Sequence, residues 1–136
     1  MEFKYKKLPT SKGRHLPIPL IDVGIKIPER LGMIFYNCLI DSGADQTYFH
    51  GDIGRSLGIK IEDGEPSMGR GIAGQTFTAY KHKFTYNIGG IDIKDSIYFS
   101  DDLGTPFGIL GREGFFEHFK ICFDQRKEVV EFKPYL

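Results

Sequence analysis

Leu39-Ile40-Asp41-Ser42-Gly43-Ala44-Asp45 is an apolar run that delivers a carboxylate, then a hydroxyl, then a glycine. A carboxylate at the mouth of a buried strand is held rigidly, and Gly43 lets the backbone turn sharply beneath it. Phe107-Gly108-Ile109-Leu110-Gly111-Arg112 is a second apolar run that closes on a glycine, Gly111, seventy residues on from Asp41. Each segment alone is a weak signal, because Asp-Ser-Gly recurs by chance. In this order, at the spacing of a single domain, the two together carry far more weight.

The rest of the chain reads as strands. Its 136 residues suit one domain with its own core. Twelve Phe, seven Tyr and 17 Gly favour strands joined by tight turns. Residues 1–16 are a polar N-terminal segment, mobile or at an edge, and residues 17–136 form a single domain. After Pro19, Ile21, Val23, Ile25 and Ile27 alternate with Leu20, Asp22, Gly24 and Lys26, a strand with one buried face. Met33 to Ile40 alternates little, which predicts cover on both faces. Gly51 to Gly58 predicts a short helix ending at a glycine cap. Gln75 to Ile88 is a long strand, and Gly89-Gly90 signals a hairpin into Ile91–Phe99. Glu113 to Phe119 fits one or two helical turns, and Ile121 to Phe132 a hairpin. The predicted class is all-β: a closed or partly closed barrel with one or two short helices.

Several functions are excluded or disfavoured. Lys+Arg and Asp+Glu are both 18, and a nucleic-acid binder usually carries a basic excess. The one basic cluster, Lys4, Lys6, Lys7, Lys12 and Arg14, reads as a solvated segment. The N-terminus lacks an apolar leader and no run approaches the ~18 apolar residues of a membrane span, so a cytoplasmic protein without membrane contact is expected. Cys38 and Cys122 sit in apolar runs and read as buried thiols, with no spacing that demands a disulfide. His15, His50, His82 and His118 are scattered without ligand spacing, so neither a metal nor another cofactor is expected. Gly69-Arg70-Gly71-Ile72-Ala73-Gly74 spells G-x-G-x-x-G. A dinucleotide loop needs a strand before it and a helix after it; here a loop-like stretch precedes and a strand follows. The glycines suit the tip of a mobile hairpin instead, with Ile72 at its end.

Together, Asp41-Ser42-Gly43-Ala44 and Ile109-Leu110-Gly111-Arg112 resemble the retroviral-type (retropepsin-like) aspartic proteases, and the resemblance spans roughly Pro17 to Pro134. It implies that Asp41 is the catalytic acid and that the Ile109-Leu110-Gly111 segment lies beneath its loop. It implies that Ser42 bonds across a dimer, that Asp45 pairs with Arg112 to brace the loop, and that residues 69–74 are the flap over an extended peptide. Hydrolysis by this route takes two carboxylates that share one proton around a water. The chain has one such motif, so the second carboxylate belongs to a second copy and the enzyme is a homodimer. Ala44 offers no hydroxyl to the carboxylate. The layout, with its C-terminal hairpin, looks more like small cellular and bacterial members than viral ones. A silent, dimeric peptide-binding module on the same fold is the rival reading.

Overall fold

The structure, a computed structural model, describes residues 1–9 and 15–135. Lys12 and Arg14 of the basic cluster lie outside the described residues. In chain order the strands are β1 (Glu2–Lys4), β2 (Lys6–Pro9), β3 (His15–Ile18), β4 (Leu20–Lys26), β5 (Met33–Ile40) and β6 (Tyr48–His50). One α-helix, α1 (Gly51–Ser56), precedes β7 (Glu65–Arg70), β8 (Thr76–Ile88), β9 (Ile91–Ser100), β10 (Gly108–Leu110), β11 (Phe119–Asp124) and β12 (Val129–Pro134). No helix is long and apolar enough to cross a membrane among the described residues.

The main sheet runs β4-β5-β10-β6-β9-β8-β7 and returns on itself where β8 also pairs β4, through Gly24 with Asn87 and Ile25 with Tyr86. Its inside is apolar because the alternating residues of these strands face one another. Ile21, Val23, Ile25, Phe49, Tyr86, Ile97, Phe99 and Leu110 are all buried there. The β8–β9 hairpin turns on Gly89 (φ 57°) and Gly90 (φ 89°), two successive left-handed residues that glycine adopts without strain.

A second sheet, β1-β12-β11, carries its own aromatic cluster, which joins the common apolar core. Phe3 stacks on Phe132 with ring centroids 4.9 Å apart, and Phe115 meets Phe132 edge to face at 5.8 Å. The start of the N-terminal segment is therefore an edge strand, one of the two alternatives left open by the sequence.

Three expectations are corrected. Met33–Ile40 is not covered on both faces: Phe35 is 65% exposed, and within the strand only Cys38 and Ile40 are buried. The reason is that β10 joins β5 only from Cys38 onward, so the first half of β5 is an arm paired with β4 alone. Cys122 is exposed, because on β11 the inward phase belongs to Phe119 and Ile121, while Lys120 and Cys122 point away; both cysteines are free. The stretch before the glycines is not a loop: Glu65–Arg70 is β7, a strand because it pairs with β8 along its whole length. The turns expected over 113–119 come to one 3-10 turn at Phe116–His118, just after Gly114 (φ 94°). The helix predicted over 51–58 is present as α1, ending before Gly58 (φ 81°).

Candidate active site

The site is built where two parallel strands end side by side. β5 and β10 pair Leu39 with Ile109 and Ile40 with Leu110. Asp41 continues that ladder by one bond, its N–H donating to the Leu110 carbonyl at 3.0 Å. The chain then turns: Ala44 N–H donates to the Asp41 carbonyl at 3.2 Å, and Gly43 N–H donates to Asp41 Oδ1 at 2.9 Å. Asp41 is half-buried, and Ser42 and Gly43 are exposed at the tip. Gly43 keeps an ordinary φ. What favours glycine there is proximity, since a Cβ would lie 3.2 Å from Asp41 Oδ1.

The second motif packs under this turn. Arg112 N–H donates to the Ala44 carbonyl at 3.0 Å and Glu113 N–H to the Asp45 carbonyl at 2.9 Å. Gly111 is buried against the loop: a Cβ there would lie 2.6 Å from the Gln46 carbonyl carbon and 2.9 Å from the Ala44 oxygen. Real Cβ atoms do not come so close to backbone, so only glycine fits without moving the Asp41 turn. Arg112 and Asp45 also form an ion pair through their side chains, both largely exposed in the single chain.

Thr47 went unnoticed in the sequence. It is fully buried, and its hydroxyl accepts from Gly111 N–H at 3.1 Å and donates to the Glu113 carbonyl at 2.9 Å. One side chain thus ties the strand after the Asp41 turn to the turn beneath it. A threonine suits any strand, so nothing in its sequence neighbourhood marks this role.

The glycine-rich segment is the end of a hairpin. β7 and β8 pair as far as Arg70 with Thr76, and the turn closes with Gly71 N–H on the Gln75 carbonyl at 2.9 Å. Gly74 takes φ 81°, and Ile72 is fully exposed at the tip. Just below the hairpin's tip, opposite Gly69, Phe77 meets Tyr48 edge to face at 5.3 Å. Tyr48 comes from the floor, since it pairs with Ile109 of β10, and its hydroxyl donates to Gln46 Oε1 at 2.7 Å. Burial, helped by the charges of Asp45, Tyr98 and Glu113, pushes the Tyr48 phenol up to about 12, so it remains a donor.

His50, Asp52 and Asp101 bring potential metal ligands within 4.8 Å of one another. Arg55 already occupies that space, donating to Asp52 at 3.0 Å and to both oxygens of Asp101 at 2.8 and 2.7 Å. His50 Nδ1 is engaged as the cap of α1, accepting from Asp52 N–H at 3.1 Å. The group is a capping and ion-pair cluster.

No protein-family model and no curated protein matches the sequence. Similarity is found among solved structures. A crystal structure of a retropepsin-like aspartic protease from Rickettsia conorii superimposes with a TM-score of 0.62 at 16% identity, covering 96% of this chain and 97% of that one. Over nearly its whole length, the chain carries the fold of a retropepsin-like aspartic protease.

Proposed function

We propose that this chain is an aspartic endopeptidase, active as a homodimer in which two Asp41 carboxylates activate one water. The observation that carries the reading is Asp41 itself, held at a strand end by Leu110 and Gly43 above Gly111. Support also comes from the shared fold and from a glycine-tipped hairpin beside the site. In the dimer one carboxylate acts as general base on the water, while its protonated twin donates to the carbonyl oxygen of the peptide. Two carboxylates this close cannot both stay ionised, and the shared proton is the working state. The peptide lies extended beneath the flaps, bound largely through its own backbone. For the dimer contact we favour the free edge of β11, which pairs with β12 on one side only and exposes Phe123. Two free thiols suit a cytoplasmic setting.

The test is digestion of casein or a peptide library by the purified chain, with and without pepstatin, alongside solution mass at micromolar concentration. Pepstatin-sensitive cleavage that rises with the dimer fraction supports the reading. A dimer that binds pepstatin but never cleaves would favour the silent peptide-binding module.

Two variants probe the details. Arg112→Ala leaves Asp45 without its partner; both side chains are exposed in the single chain, so folding stability should change by about 1 kcal/mol or less. If the pair braces the dimer contact, dimerisation weakens severalfold and activity at low concentration falls with it. An unchanged dimer constant with full activity would contradict that role. The second variant, Ala44→Ser, concerns pH. The rate follows a bell, because activity needs the pair to hold one proton. Ala44→Ser supplies a hydroxyl that favours the charged carboxylate, so the bell moves toward acid. An unmoved bell rejects the hydroxyl's role alone, whereas a rate still rising through alkaline pH excludes a shared proton.

A further inference from the structure

A cavity of about 180 Å³ lies between the flap and the floor of the site. Tyr48 supplies its floor, Phe77 and Gln75 its flap side, and Ser100, Asp102 and Leu103 its outer wall. It is smaller than the roughly 300 Å³ at which small-molecule pockets begin, and suits one side chain. Its place follows from the sheet. β9 ends at Ser100, with Tyr80 opposite Phe99, so the flap strand beyond Tyr80 has no neighbour on that side. Ser100 and Asp102 take the neighbour's place: Ser100 Oγ donates to the Thr78 carbonyl at 2.6 Å, and Thr78 N–H donates to Asp102 Oδ2 at 3.0 Å.

The charge in this wall is unbalanced. Asp101 is clamped by Arg55. Asp102 makes no ion pair among the described residues, and its bond from Thr78 N–H engages Oδ2 only. Ser100 is already spoken for, since its hydroxyl also accepts from Asp102 N–H at 3.1 Å. The cavity therefore joins two aromatic rings and a leucine to a carboxylate that lacks a cation. Such a lining complements a long apolar stem with a positive end, the stem on the rings and the charge on the carboxylate. A purely apolar occupant would shield that carboxylate from water with nothing in exchange.

We infer that this cavity receives a lysine or arginine side chain of the bound peptide, which makes Asp102 a specificity-determining residue. The inference rests on the endopeptidase reading only in taking the ligand to be a peptide beneath the flap. Asp102→Asn is the informative variant, because the amide oxygen can still accept from Thr78 N–H while the charge is gone.

The experiment uses peptides that place lysine, norleucine or glutamate at each position in turn. Cleavage efficiency is measured with the full chain and its Asp102→Asn form. Binding of the same peptides is measured by fluorescence anisotropy on Asp41→Asn and on the Asp41→Asn, Asp102→Asn double variant. At one position lysine should exceed norleucine by about tenfold, and the ratio should collapse toward one without the charge. No preference for lysine at any position, or a loss in Asp102→Asn that is equal for all peptides, overturns the inference. Lysine-selective binding that depends on Asp102 without any cleavage leaves the pocket standing and removes the endopeptidase. Cleavage without lysine selectivity does the reverse, and neither binding nor cleavage removes both.

Discussion

Asp41→Asn is expected to give a folded protein of unchanged oligomeric state whose proteolysis falls by about 10³-fold or more. The substitution keeps the size of the side chain and keeps an oxygen for the Gly43 N–H that now donates to Asp41 Oδ1. It removes the carboxylate that must take a proton from water. Because Asp41 is half-buried at a turn and its backbone is held by Leu110 and Ala44, the melting temperature should move by a few degrees at most. A purified Asp41→Asn protein that cleaves at the wild-type rate would show that Asp41 is not the catalyst.

Gly111→Ala should have the largest effect on the fold. The added methyl would press on the carbonyl groups of Gln46 and Ala44, both backbone and unable to swing aside. The turn must then shift, and with it the Thr47 hydroxyl that accepts from Gly111 N–H. Overpacking of this kind costs about 1–3 kcal/mol, and the cost falls on the segment that holds Asp41. Chemical denaturation should show the loss of stability, and activity should fall further than stability alone explains. Wild-type stability with wild-type activity would mean that the catalytic turn does not rest on Gly111.

The two motifs were legible because each is written in residue types with few alternatives: a carboxylate after an apolar strand, and a glycine where no Cβ fits. The turn at residues 71–74 was legible from its glycines, Gly74 needing a left-handed backbone, whereas β7 before it was not, because Glu65-Pro66-Ser67-Met68-Gly69-Arg70 carries no apolar pattern of its own. What escaped depends on register, which neighbouring residues do not encode. The exposure of Phe35 follows from where β10 begins, and the outward turn of Cys122 from the phase of β11. Thr47 and Asp102 make their hydrogen bonds to partners 64 and 24 residues away.

The central claim is that one active site is shared by two chains, and subunit mixing tests it most directly. Wild-type protein and Asp41→Asn are mixed in varying ratio at fixed total concentration, with time for protomers to exchange, and residual proteolysis is measured. If both carboxylates are required, a mixed dimer is inactive and activity falls as the square of the wild-type fraction, to about a quarter at equal mixing. A linear decline, to about a half at equal mixing, would mean that each chain works alone and would contradict the shared site.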